Sequence, residues 1–299
     1  MKDTLQRFLF EHAPIRGEVA HLDATWRAVL ERHDYPLVLR NVLGELMAAG
    51  ALLAATLKFE GAMVLQLQGP GPVKLIVVEC TSEQTLRATA KWTSSQEHAA
   101  TGGLPAAAGL ADLLGDGRFV ITLVPGGGRQ SYQGIVEIDP AGVAASLERY
   151  MAHSEQLETR LWLAADESRA AGFLLQKLPG RNNPDLDSWN RAAQLAATLT
   201  RPELLDLPAS KVLHRLYHQE DIRLFEPRPV SFRCSCSGER VAAVLRMLGA
   251  DEVRSILDER DNVEVICEFC NRAYRYDSVD AEQLFAAAPP PAQAGATRH

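Results

Sequence analysis

The longest apolar periodicity in the chain begins after Pro36. Leu39, Val42, Leu43, Leu46, Met47, Leu53 and Leu57 recur at helical spacing, which predicts a long amphipathic helix over residues 36–58, central to a core. Around it the period falls to two. The runs Ala62–Gln68 and Val73–Val78 flank Gly69-Pro-Gly-Pro72, and the runs Arg118–Val124 and Tyr132–Ile138 flank Pro125-Gly-Gly-Gly128. Short strand-forming runs on either side of a Gly/Pro cluster predict two hairpins. Residues 141–157 return to the helical period, with Val143, Leu147, Tyr150, Met151 and Leu157 on one side. Thr159–Leu163 and Gly172–Gln176 predict one more strand pair. Strands clustered with a few helices predict an α+β fold for an N-terminal sheet-and-helix domain over residues 1–178.

The pattern weakens at Pro179-Gly180-Arg-Asn-Asn-Pro184. Residues 179–231 are helical by composition, yet their apolar faces are short. Trp189, Ala192, Leu195, Ala196 and Leu199 make one, and Val212, Leu213, Leu216 and Tyr217 another. Pro184, Pro202, Pro208, Pro227 and Pro229 cut the pieces. Helices of that length are marginal in water unless they lean on a neighbour, so the segment reads as a docked helical linker of low local stability. A small C-terminal domain follows over residues 232–286. Its predicted parts are a helix with Val241, Val244, Leu245 and Leu248 closed by Gly249, and a second over Asp251–Glu259. A hairpin of Val263–Ile266 and Ala273–Tyr276 completes it. Residues 287–299, rich in Ala and Pro, are expected to be disordered.

The 299 residues leave room for two domains and a connecting segment. The net charge of −7 opposes a phosphate-binding surface. Arg233, Arg240, Arg272 and Arg275, close to four of the cysteines, are the only support for a zinc-module nucleic-acid binder. The start, MKDTLQRFLFEHAP, carries Asp3 and Glu11 and no long apolar run, unlike a secretory signal. The most apolar stretch, Leu46–Leu57, has twelve residues between Glu45 and Lys58, too few to cross a bilayer. The expectation is a soluble, cytoplasmic protein with no membrane or nucleic-acid partner.

Five cysteines complete the picture. Cys80 ends an apolar strand run and reads as an inert core thiol. The other four form two close pairs, Cys234-Ser-Cys236 and Cys267-Glu-Phe-Cys270, thirty residues apart. Two such pairs, brought together by an intervening fold, build a tetrahedral four-thiolate zinc site. With four sulfurs no open position remains, so metal-assisted hydrolysis is not expected. A unit of this size buries little apolar surface, and a structural zinc site contributes roughly 10–16 kcal/mol, so the domain is expected to fold with metal and unfold without it. Thiolates are also what oxidants attack. Once one sulfur of a pair is oxidised, its near neighbour can close a disulfide, which predicts local Cys234–Cys236 and Cys267–Cys270 bonds. The metal would then leave and the adjoining helices loosen.

Along essentially its full length the chain resembles the redox-regulated 33-kDa heat-shock chaperones of bacteria. The resemblance is carried by Gln6–Glu11, Ile15-Arg-Gly-Glu18, Leu53–Lys58, Gln66-Leu-Gln-Gly69, Tyr132–Val136, Ser154-Glu-Gln-Leu157, Gly172–Gln176, Leu213–His218 and the two cysteine pairs. One departure is Gly238, where that family usually has Arg; it is not a ligand position. The resemblance implies an ATP-independent holdase, inactive when reduced with one zinc ion on Cys234, Cys236, Cys267 and Cys270. Oxidation forms the two local disulfides, releases zinc and unfolds the linker. The active form, often a homodimer, binds unfolding client proteins.

Other patterns carry less. Pro125-Gly-Gly-Gly128 lacks the Gly-Lys-Ser/Thr of a phosphate loop and reads as a hairpin turn. His214 and His218 share a helix face without the Glu of a metalloprotease pattern. No acid–base or nucleophile constellation appears, so an enzyme is not expected.

Overall fold

The computed structural model describes residues 3–57, 60–93, 104, 108–179, 185 and 187–286. The expected boundary at Gly180–Pro184 and the tail 287–299 lie outside the described residues, as does Lys58 at the end of the expected long helix. The chain divides into two compact units, Met1–Arg233 and Cys234–His299.

The first unit runs β1 (Thr4–Phe10), β2 (Ile15–Leu22), α1 (Ala24–Leu30), α2 (Leu37–Thr56), β3 (Gly61–Gln68), β4 (Val73–Thr81), β5 (Thr85–Trp92), α3 (Leu110–Leu114), β6 (Arg118–Pro125), β7 (Tyr132–Glu137), α4 (Val143–His153), β8 (Thr159–Ala165) and β9 (Ala170–Lys177). It continues through α5 (Ser188–Ala196), α6 (Arg201–Asp206), α7 (Ala209–Tyr217), β10 (Ile222–Leu224), β11 (Arg228–Pro229) and β12 (Ser231–Phe232). Among the described residues these strands make two six-stranded sheets. One has the order β10-β1-β2-β9-β8 with β11 also on β1, and the other the order β12-β5-β4-β3-β6-β7.

Helix α2 lies between them, packed on β2, β8 and β9 of the first sheet and on β3, β4 and β5 of the second. Only its first turns are amphipathic. From Leu46 to Ala55 every residue is buried, because both sides of the helix meet a sheet. By length and composition Leu37–Thr56 would suit a bilayer, with mean hydropathy 1.6, but most of it is buried inside the unit. A helix apolar all round belongs in such an interior. Close approach is permitted by small residues: a Cβ on Gly44 would stand 2.4 Å from that of Ala165. At the end of α2, the Arg7 and Arg16 guanidiniums donate to the carbonyls of Ala55 and Thr56 at 3.2 and 3.3 Å. These cations satisfy carbonyls that no helical turn can reach. Glu18, 1% exposed, holds Arg7 at 3.0 Å. Burial pushes its carboxyl above the usual range against the pull of Arg7.

The first sheet is apolar on both faces. Leu5, Ala20, Leu22, Leu161 and Leu174 face the core that holds α2. The alternate positions Phe8, Phe10, Val19, Phe173 and Leu175 face a second cluster with Ala192, Leu204, Leu205, Val212, Leu213, Leu216 and Tyr217. Helices α5–α7, drawn from the segment expected as a linker, thus cover the outer face of this sheet. Tyr217 lies edge-on to Phe10 at 5.0 Å and donates its hydroxyl to the Ala192 carbonyl at 3.0 Å. His21, 6% exposed, donates to the Leu204 carbonyl at 3.1 Å. The chain then ties both sheets at their edges: β10 and β11 run antiparallel to β1, and β12 runs parallel to β5.

The second unit holds α8 (Gly238–Leu248), α9 (Ala250–Glu259), β13 (Val263–Ile266), β14 (Ala273–Tyr276) and α10 (Ser278–Ala286), the last not expected from the sequence. Among the described residues its buried apolar core is Ala242, Leu245, Val253, Val263, Ala281 and Leu284. The expected α8 face is only partly used. Val244 is 60% and Leu248 51% exposed, because α9 and α10 reach only the side of α8 that carries Ala242 and Leu245.

Candidate metal centre

The second cysteine pair is shaped by the β13–β14 hairpin, whose register pairs Val263 with Tyr276 and Ile266 with Ala273. Between Ile266 and Ala273 the six residues 267–272 form a knuckle. The Cys267 amide donates to the Arg272 carbonyl at 2.9 Å, and the Asn271 amide returns to the Cys267 carbonyl at 2.8 Å. Asn271 has φ +58, a left-handed conformation that asparagine tolerates. The first pair opens the unit just before the N-cap of α8, where the Ser237 hydroxyl accepts from the Arg240 amide at 3.3 Å. Arg240 also donates to the Ser235 hydroxyl at 2.7 Å, fixing the residue between the two sulfurs.

The sulfurs of Cys234, Cys236, Cys267 and Cys270, all half-buried, lie within 4.8 Å of one another. Cys234 is 3.7 Å from Cys267, and Cys236 is 3.4 Å from Cys270. Zinc–sulfur bonds of about 2.3 Å in a tetrahedron require sulfurs about 3.8 Å apart. The donor set therefore fits a tetrahedral thiophilic ion, and all four predicted residues come together. The electrostatics agree. Burial opposes ionisation, but the Tyr274 hydroxyl and the neighbouring thiols bring Cys236 down to about 7. Burial and the neighbouring sulfurs push Cys270 up to about 12. A thiolate at Cys236 opposes ionisation of Cys270 beside it, and four thiolates together need a cation among them.

Two groups near the sulfurs were not expected. Tyr274 donates its hydroxyl to the Cys236 sulfur at 3.1 Å, and Tyr276 donates to the Gly238 carbonyl at 2.9 Å. Their spacing of two on a strand puts both rings on one face, and that alternation was the available signal. Gly238 lies under these rings, 3.9 Å from each at the position a Cβ would take. Cys80, His214, His218 and the glycine turn belong to the first unit. Cys80 is buried in β4, where burial and Glu79 push its thiol up to about 12. His214 on α7 and His218 at its C-cap are exposed, their rings 6.2 Å apart. Gly127 and Gly128, both with φ +74, form the β6–β7 turn as expected. The arginines considered for nucleic acid have protein partners: Arg275 pairs with Glu264 at 2.7 Å and Arg233 with Glu83 at 3.9 Å.

Comparison with known proteins decides the family. The Hsp33 protein family model matches residues 3–277. The chain belongs to the Hsp33 family. The 33 kDa chaperonin of Methylobacillus flagellatus is 50% identical over 95% of both chains. That of Nitrosococcus oceani is 48% identical over 95% of this chain and 94% of its own. In fold, the crystal structure of the 33 kDa chaperonin of Thermotoga maritima matches with TM-score 0.77 at 20% identity, covering 95% of this chain and 98% of that one. This Hsp33 member is thus an α+β protein of a chaperone family, with a four-sulfur cluster suited to a metal ion.

Proposed function

We propose that the protein is a redox-regulated, ATP-independent holdase of the reducing cytoplasm, closed when its four cysteines hold one zinc ion. The observation that carries this reading is the four-sulfur cluster in a unit with so small an apolar core. Zinc, when bound, keeps four thiolates charged and side by side. The chain supplies the remainder: the knuckle and the α8 cap hold the sulfurs in place, and half-burial leaves them open to small oxidants. Hydrogen peroxide takes two electrons from each pair. One sulfur accepts an oxygen as sulfenic acid, and its neighbour displaces that oxygen as water. The products are the Cys234–Cys236 and Cys267–Cys270 disulfides, with four thiolates consumed and the metal released.

The second unit then loses its support, and residues 179–231 act as the releasable linker. Lifting α5–α7 uncovers Phe8, Phe10, Val19, Phe173 and Leu175, a contiguous apolar sheet face able to hold an unfolding client. The same face, once bared, also offers a surface for a second copy, consistent with an active homodimer.

Light scattering of a thermally unfolding client tests the proposal. Reduced zinc-loaded protein is expected to leave aggregation unchanged and peroxide-treated protein to suppress it. Equal suppression by both forms overturns the switch. A Cys267→Ser, Cys270→Ser variant is expected to bind no zinc and to suppress aggregation without oxidant.

A further inference from the structure

Around the sulfur cluster, one hydroxyl group has a geometry that packing alone does not explain. The ring of Tyr274 is held by its place in β14, and its hydroxyl donates to one sulfur, that of Cys236, at 3.1 Å. Tyr276, one pleat further along, fixes the Gly238 carbonyl two residues beyond Cys236. The first cysteine pair is therefore pinned at one sulfur and at the start of α8 by two tyrosines of the opposite hairpin. A hydrogen bond to a metal-bound thiolate draws charge from the sulfur, steadies the metal–sulfur bond and weakens the sulfur as a nucleophile.

We infer that Tyr274 is a positioning residue that sets the oxidation threshold, its hydroxyl shielding the Cys236 sulfur from attack. The inference rests on the zinc-switch reading. The affected step is the first two-electron oxidation: the Cys236 thiolate attacks the O–O bond of hydrogen peroxide, takes one oxygen and releases hydroxide. The Cys234 thiolate then displaces that oxygen to form the disulfide, so one peroxide and two protons yield two waters. With Tyr274 in place the Cys236 route is slow, and the pair tolerates a higher peroxide level before it opens.

The test uses the full reduced chain and two variants. Tyr274→Phe removes only the hydroxyl, and Tyr274→Leu also removes the ring. Zinc content is measured first. Zinc release by excess hydrogen peroxide is then followed with a chromogenic chelator, and sulfenic acid is trapped with a dimedone probe and located by mass spectrometry. Tyr274→Phe is expected to hold one zinc ion, as the parent does, to release it about 10-fold faster and to carry more trapped label on Cys236. Release at the parent rate with zinc fully loaded overturns the role of the hydroxyl. So does acceleration in Tyr274→Leu alone, which assigns the effect to the ring, or loss of zinc from Tyr274→Phe before oxidant is added. Absence of zinc from the parent as well brings down the switch reading itself, an outcome distinct from the other three.

Discussion

The two units solve the problem of staying folded in different ways. The first surrounds α2 with two sheets and covers a second sheet face with three helices, so its side chains are held by one another. The second, among the described residues, has six buried apolar side chains, two of them alanines, with Tyr276 and Phe285 only partly buried against them and Val244, Met247 and Leu248 left in solvent. Apolar burial scales with size, and a unit so small needs a cross-link or a metal. A protein built this way has one unit whose small core leans on its cysteines and one that stands on its own packing, and the contrast can be broken or sharpened by experiment.

The largest effect is expected from the metal. Structural zinc is worth roughly 10–16 kcal/mol in small thiolate domains, more than the whole stability of most domains. Stripping zinc from the reduced protein with a strong chelator should abolish amide protection over β13, β14 and α8–α10. Protection of α2, β3 and β4 should persist. Exchange measured by mass spectrometry checks both. Persistent protection of the β13–β14 hairpin in the metal-free protein would mean that the small core suffices and the contrast between the units is false.

Next comes a large-to-small change in each unit. Leu46, fully buried on α2, leaves a cavity when cut to alanine, and Leu46→Ala should cost about 3 kcal/mol. Met247, 87% exposed on α8, should cost less than about 0.5 kcal/mol as Met247→Ala. Denaturant unfolding of the first unit reads one, and thermal loss of zinc from the second reads the other.

How much of this was legible in sequence follows the same division. The β3–β4 and β6–β7 hairpins and α4 were readable because each has one dominant period, and α2 because its first turns do and an unbroken apolar run follows them. The strands β1 and β2 were not, since β2 is buried on nearly all sides and its Gly17, Glu18 and His21 hide any alternation. Their charged residues serve distant partners: Arg7 and Arg16 cap α2, and the Asp3 carboxylate accepts from the amides of Asp23 and Thr25 at the start of α1. Such bonds join residues that no local window contains. The strand β5 was missed as well, and the linker's short apolar faces showed helices but not the sheet they cover. The four cysteines were readable from spacing alone, because few residue types bind metal and chance rarely groups them. Tyr274 was not, because its role depends on the register of a hairpin.

A smaller effect is expected at the seam between sheet and linker. Tyr217→Phe keeps the ring against Phe10 and removes only the hydroxyl that serves the Ala192 carbonyl. Its cost should be about 1 kcal/mol. If α5–α7 open as a unit, that change should lower the temperature at which Trp189 fluorescence shifts while leaving α2 protected. A shift only at the global transition would show that the helices belong to the body and not to the switch.

The subtlest expectation concerns acid. His21 sits under α6, and burial holds its pKa below the ordinary 6.5, although the Leu204 and Leu207 carbonyls partly offset this. If α6 lifts from the sheet, the docked form therefore binds a proton less readily than the open one. Its contribution to docking is fully present above about pH 6.5 and is lost as the pH falls below that value. Glu45 on α2 has the opposite sign. Burial, only partly countered by Arg201, raises its carboxyl from the ordinary 4.5 to about 7, so its penalty to the folded unit grows as the pH rises from about 4.5 to about 7 and is constant above that. A single pH profile mixes the two groups, and the informative quantity is a difference. Between pH 5 and 8, the opening temperature reported by Trp189 should fall toward acid more steeply in the parent than in His21→Gln. Parallel profiles would mean that α6 does not need a neutral imidazole beneath it, and that acid acts on α5–α7 through another group.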